Sequence, residues 1–297
     1  MAILKVSDLH KSYGATKALN GISFEVPEGA VFGILGPNGG GKTTLLGIIL
    51  DVLKADSGNF SWFDEQPSPE HRKRIGTLLE TPNFYHYLSA TRNLEVSRRI
   101  SERGTVQDID QVLKKVNLYD RRNGRFSTYS LGMKQRLAIG AALLGSPSVL
   151  VLDEPTNGLD PVGIVEIREL ILELKAKGHT IIMASHLLDE VEKTCTHVAI
   201  MNKGNLLSCG RVDEVLTEDD QVEVGARNVD SLVTNIGDFP GLIHFKQEKD
   251  RVLLVLPKDS ADLETINRFC SNKGVTLNHL YLRKQKLESR FFELTQN

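Results

Sequence analysis

Cysteine is scarce in this 297-residue chain: Cys195, Cys209 and Cys270 are the only three. They form no C-x-x-C pair and no disulfide framework, so they read as buried or inert thiols of a reducing compartment. A dominant charge is also missing. Thirty-six Lys and Arg face 38 Asp and Glu, for a net charge of −2, so no overall field draws the chain to nucleic acid or to an anionic membrane. Any such partner has to be engaged locally. Long apolar runs are absent too: Leu45 to Leu53 is interrupted by Asp51, and nothing approaches the ~20 residues needed to span a bilayer. Met1 to Asp8 alternates apolar and polar residues, without the charged-then-apolar order of a leader, so no export signal is expected. There is no internal repeat, low-complexity tract or second phosphate loop. The length allows one large domain or two, and composition does not choose between them.

What is present is Gly36-Pro37-Asn38-Gly39-Gly40-Gly41-Lys42-Thr43, a full match to G-x-x-x-x-G-K-[ST], preceded by the strand-like run Ala30 to Leu35. Glycines at 36, 39, 40 and 41 keep β-carbons out of the way, so consecutive N–H groups can curl around phosphate oxygens. Lys42 adds a mobile positive charge, and the Thr43 hydroxyl suits Mg²⁺. The apolar run after Thr44 starts a helix whose positive dipole end faces the anion. The alternative, a Gly-rich turn before an ordinary helix, is left little room by five fixed positions in strand-turn-helix order, so the chain reads as nucleotide-binding.

Strand-like stretches open the chain at Ile3 to Leu9, Ala18 to Val26, Ala30 to Leu35 and Gly58 to Phe63. Helical patterns then dominate from Ala90 to Gly145, including Asp108 to Val116 and Met133 to Leu144, as a helical insert. Strand and helix alternate again through Val149 to Leu152, Ile164 to Lys177 and Thr180 to Ala184, the pattern of a mainly parallel sheet flanked by helices. A boundary is expected at the acidic stretch Glu218-Asp219-Asp220, dividing residues 1–217 from 218–297. The second part parses as βαββαβ, at 221–226, 229–236, 242–246, 252–256, 262–272 and 277–282, and so predicts a small α+β ferredoxin-like domain. A closing helix follows at 287–294, with Leu287, Phe291 and Leu294 at helical spacing.

A phosphate loop alone does not choose among a kinase, a GTPase and a motor. Val149-Leu150-Val151-Leu152-Asp153-Glu154 is an apolar strand ending in two acids: Asp153 is placed to hold Mg²⁺ through water, and Glu154 to polarise an attacking water. Tyr129-Ser130-Leu131-Gly132-Met133-Lys134-Gln135-Arg136 lies just before that strand and Asn157-Gly158-Leu159-Asp160 just after it. With these motifs the chain resembles the ATP-binding cassette family over residues 1 to about 217. Ser130 and Gly132 fit its signature motif, Asp160 its D-loop, His186 its switch histidine and Tyr13 its adenine-stacking aromatic. Taken singly, Ser130 reads as a helix N-cap, His186 as a polar loop residue and Tyr13 as an edge-strand tyrosine. Glu80 occupies the Q-loop position, where most relatives carry Gln. It can still ligate Mg²⁺ but adds negative charge beside the triphosphate and cannot donate an amide hydrogen bond.

The resemblance implies an α/β P-loop NTPase core with an antiparallel β subdomain and a helical subdomain. It implies an ATPase that binds ATP and Mg²⁺, with Tyr13, Gly36, Pro37, Asn38, Gly39, Gly40, Gly41, Lys42, Thr43, Thr44, Ser130, Gly132 and Asp160 toward the nucleotide. Glu154 and His186 are the catalytic candidates, and Thr43, Asp153 and Glu80 the metal contacts. Two cassettes pair head to tail in such proteins, each ATP lying between one phosphate loop and the partner's signature motif. Leu79-Glu80-Thr81-Pro82, Phe84-Tyr85 and the tail Leu287 to Leu294 are similar to cassette proteins of bacitracin- and lantibiotic-type exporters. That implies a homodimer or paired cassette on the cytoplasmic face of a membrane, coupled to a transmembrane permease subunit, with no nucleic-acid partner. The rivals are a cassette ATPase acting on ribosomes or DNA, which usually carries tandem cassettes or a long coiled-coil insertion, and a non-hydrolysing nucleotide sensor.

Overall fold

Three strands, Val31–Leu35, Val149–Asp153 and Thr180–Ser185, are buried at every position. Runs of Val, Ile and Leu with no polar alternation have no face to offer water, and here they form the middle of a sheet covered on both sides. The computed structural model describes residues 1–65, 68–79, 82–216, 219–283 and 287–295. Its chain divides into two compact units, Met1–Val212 and Asp213–Asn297.

In the first unit, six strands run in the order Ile75–Leu78, Val149–Asp153, Thr180–Ser185, Val31–Leu35, His197–Asn202, Asn205–Arg211. All neighbours are parallel except the last pair. The chain order of these strands jumps across the sheet, which requires crossover connections, and helices supply them. A separate antiparallel sheet of three strands, Ala2–Tyr13 between Thr16–Pro27 and Ser57–Trp62, packs its apolar side on the helix Lys42–Ile49. Trp62, fully buried, joins the two layers by donating from Nε1 to the Ile49 carbonyl at 2.7 Å. The inserted helices are Ala90–Ser101, Val106–Lys115 and Leu131–Leu143.

The strand Ile75–Leu78 and the hairpin His197–Asn202/Asn205–Arg211 had no expectation from the sequence pattern. Four residues are too few for a periodic signal. Ile75–Leu78 is held instead by pairing with Val149–Leu152 and by the Arg103 guanidinium donating to the Ile75 carbonyl at 2.8 Å.

In the second unit, four antiparallel strands take the order His244–Glu248, Arg251–Pro257, Asp219–Ala226, Leu277–Arg283, with helices Val229–Ile236 and Leu263–Asn272. This is the ferredoxin-like arrangement. Val222, Val224, Val252 and Leu254 pack with Leu232, Ile236 and Ile266 in the core. Glu223, between two core valines, points the other way and binds Arg251 at 3.0 Å and His279 at 3.2 Å. Such alternation is what a sheet covered differently on its two faces demands. Asn228 and Asp262 cap the two helices through their side-chain oxygens. In the closing helix Leu287–Thr295, Leu287 is buried and Phe292 is half exposed.

Cys195 and Cys270 are buried and Cys209 is exposed on the edge strand, yet desolvation pushes all three thiols upward from their ordinary range, Cys209 to about 11. Among the described residues, no helix is long and apolar enough to cross a membrane.

Candidate functional site

Parallel strands all present their carboxyl ends at one edge of the sheet, and the loops leaving that edge make the site. Leu35 pairs with Ser185 and Asp153 with Ala184, so the phosphate loop, Glu154 and His186 emerge at one level. Sequence distance had hidden this adjacency.

The phosphate loop joins Val31–Leu35 to Lys42–Ile49. Gly41 adopts φ 102°, and a β-carbon there would come within 2.4 Å of the Ala18 carbonyl oxygen. At Gly36 a β-carbon would meet the Met201 carbonyl oxygen at 2.6 Å. The loop main chain therefore lies directly against its neighbours, a close approach only glycine permits. Its other side borders a cleft of about 320 Å³ lined by Tyr13, Thr16, Ala18, residues 37–44 and Glu154. Tyr13, half exposed at the end of its strand, faces that cleft with Lys11 Nζ 5.6 Å from its ring centre.

Lys42 is 6% exposed, and its ammonium donates to the carbonyls of Gly36 at 2.8 Å and Pro37 at 3.3 Å. The same nitrogen lies 3.4 Å from Glu154 Oε1. The Thr43 hydroxyl donates to Asp153 Oδ2 at 3.1 Å. Glu154 follows its strand in a left-handed conformation, φ 48°, with its N–H bonded to the Ala184 carbonyl at 3.0 Å. Its Oε2 is 2.8 Å from His186 Nδ1. The two carboxylate oxygens are thus engaged from opposite sides, by a cation and by an imidazole.

A second cluster gathers the other motif residues. Ser130 caps the helix Leu131–Leu143, its Oγ accepting from the Met133 N–H at 3.2 Å. Asp160 caps Pro161–Ala176, its Oδ1 accepting from the Gly163 N–H at 2.8 Å. The two caps meet through apolar contacts: Leu131 Cδ2 would lie 3.2 Å from a β-carbon on Gly158, and Leu159 Cδ2 4.0 Å from one on Gly132. Among the described residues, Ser130, Gly132 and Asp160 are not in the lining of the cleft. Glu80 lies outside the described residues. Thr16 and Ala18 were not anticipated as lining groups; a short turn brings them beside Tyr13, and no motif marks them.

Thr43, in the cleft lining, and Asp153, bonded to it, fit a small divalent cation. A hydroxyl and a carboxylate are hard oxygen ligands, and Mg²⁺ takes one or two of these while keeping water and substrate phosphate in its remaining positions.

A glycine cradle with a buried lysine, a hydroxyl–carboxylate pair and a base, all at the carboxyl edge of a parallel sheet, defines a P-loop nucleoside triphosphatase. The family model for ABC transporters matches residues 19–157. The ABC transporter ATP-binding protein YhcH of Bacillus subtilis is 34% identical over 99% of this chain and 96% of its own length. The bacitracin transport ATP-binding protein BcrA of Bacillus licheniformis is 43% identical over 69% of this chain and 68% of its own. Among solved structures, CbiO1 of Clostridium perfringens, part of the ABC transporter complex CbiONQ, superposes with a TM-score of 0.65 at 34% identity, covering 72% of this chain and 90% of that one. The chain belongs to the ABC transporter family, as an ATP-binding and ATP-hydrolysing subunit.

Proposed function

We propose that this subunit powers export through a separate permease, with residues 1–217 as its ATP-binding domain and 218–297 as a distinct small domain. The observation that carries the hydrolytic part is the placement of Glu154 between Lys42 and His186 at the mouth of the phosphate loop. In this reading Tyr13 stacks on adenine, the loop N–H groups and Lys42 hold the β- and γ-phosphates, and Thr43 and Asp153 hold Mg²⁺. When bound, Mg²⁺ offsets charge developing on the transferred phosphoryl group. Glu154 accepts a hydrogen bond from the attacking water and sets it in line. His186, already bonded to Glu154, steadies that carboxylate and donates toward the γ-phosphate.

Ser130 and Gly132 act in trans. They stand on the surface away from their own cleft, which suits contact with a nucleotide held by a second cassette, and Asp160 borders the same surface. ATP therefore closes two cassettes and hydrolysis releases them. The names of the relatives, among them a bacitracin transporter subunit, support export over a role on ribosomes or DNA. The cytoplasmic face of a membrane is the place where such a subunit meets both ATP and a permease.

Light scattering tests the pairing. The Glu154→Gln protein should be monomeric without nucleotide, dimeric with ATP and Mg²⁺, and monomeric again with ADP. A dimer indifferent to nucleotide sinks the trans role of Ser130 and Gly132. A steady-state phosphate-release assay on the wild-type protein tests the rest, and absence of turnover with intact ATP binding favours the sensor reading.

A further inference from the structure

Thr156 stands two residues after Glu154, in the turn that joins the strand Val149–Asp153 to the helix Pro161–Ala176. Its side chain is 3% exposed, and among the described residues its Oγ1 has no hydrogen-bond partner. A buried hydroxyl in that condition has given up its bonds to water and gained none, and nearly all buried polar groups in folded proteins are paired. The turn does make hydrogen bonds: Asn157 N–H donates to the Glu154 carbonyl at 3.1 Å and Leu159 N–H to the Thr156 carbonyl at 3.3 Å. Neither uses the hydroxyl.

The backbone of the same turn is strained at Glu154. The turn is entered through Glu154 at φ 48° and left through Gly158 at φ 73°; for a glutamate the left-handed region is disfavoured, and such strain collects where a segment has work to do. An unpaired buried hydroxyl in a strained turn is what a segment with a second arrangement, in which that hydroxyl is bonded, would leave.

We infer that Thr156 is a positioning residue for Glu154, whose hydroxyl takes up its hydrogen bond in the nucleotide-bound arrangement of the 154–160 turn. The trigger is the Lys42–Glu154 contact: Lys42 Nζ lies 3.4 Å from Glu154 Oε1, and a triphosphate competes for that ammonium. Once Lys42 turns to phosphate, Glu154 loses one of its two anchors and the turn relaxes into the geometry that seats the hydroxyl. The inference rests on the proposed role of Glu154 in orienting water.

Thr156→Val keeps the shape and removes the hydroxyl, while Thr156→Ser keeps the hydroxyl. Without nucleotide, the valine variant should melt about 2–4 °C above wild type, because an unpaired buried group has been removed. It should gain less than wild type from added ATP and Mg²⁺, and its kcat should fall about tenfold with KM for ATP within about twofold. The serine variant should recover kcat. A lower melting point for the valine variant without nucleotide shows the hydroxyl already bonded and overturns the inference, as does a kcat equal to wild type. If wild-type protein shows no turnover yet is stabilised by ATP, the hydrolytic reading fails, and the comparison of ATP-induced shifts between wild type and Thr156→Val still decides for or against Thr156.

Discussion

The two large sheets of this chain solve the same burial problem in opposite ways. In the cassette, parallel strands such as Val149–Asp153 are buried along their whole length, and all their carboxyl ends open on one edge. In the C-terminal unit the strands are antiparallel, Val222 and Val224 face the core while Glu223 faces away, and strands adjacent in the sheet end on opposite edges, so the carboxyl ends divide between the two. Only the first arrangement collects several loops at one place. The glycine loop, Lys42, the Thr43–Asp153 pair and Glu154 are accordingly gathered there within a few ångströms. The antiparallel unit divides its loops between two edges.

The contrast breaks most completely at Lys42. In the proposed site Lys42 supplies the main side-chain charge to the β- and γ-phosphates, so with Lys42→Ala tight ATP binding should be lost in an equilibrium titration with labelled nucleotide. Affinity close to wild type is the result that removes the loop from its assigned role. Glu154→Gln should lower turnover by on the order of 10²–10⁴ while ATP still binds. A defect confined to binding identifies Glu154 as structural instead.

On the other side of the comparison, Leu254→Ala opens a cavity in the C-terminal core and should cost that unit about 2–5 kcal/mol. Protease sensitivity should rise in residues 219–295 with the cassette left resistant; if the cassette loosens equally, the units do not fold separately. Deleting residues 218–297 should leave nucleotide binding and a comparable hydrolysis rate, since every motif residue precedes 187. Loss of both dimerisation and turnover in a folded truncation assigns the C-terminal unit to the working interface. The smallest effect concerns thiols. With Cys195 and Cys270 buried and Cys209 exposed but pushed up to about 11, a thiol reagent should label one cysteine per folded chain, slowly at neutral pH and faster at alkaline pH, judged by mass, and three after denaturation.

Much of the cassette was legible because its signals are local. Gly36 to Thr43 declares a phosphate loop by residue type and spacing, and Val149 to Glu154 reads as a buried strand with acids at its end. The C-terminal βαββαβ order also follows from short-range alternation and helical periodicity. Ile75–Leu78 escaped notice because its existence as a strand depends on a partner more than 70 residues away. Thr16 and Ala18 escaped because they contribute position, and Ala18 a carbonyl rather than a side chain.

The sequence by itself determined which groups this protein can bring to a nucleotide: glycines without β-carbons, one lysine, one threonine hydroxyl, two consecutive acids and a histidine. Their chemistry is a property of residue type and of neighbours along the chain. Only the tertiary structure decided which of them meet. Pairing of Asp153 with Ala184 and of Leu35 with Ser185 sets His186 against Glu154 and Glu154 against Lys42. The same packing turns Ser130 and Asp160 into helix caps outside that cleft, and buries the Thr156 hydroxyl unpaired. Strand register and helix packing are settled by burial of apolar surface across the whole unit, a sum over distant residues that no local motif contains.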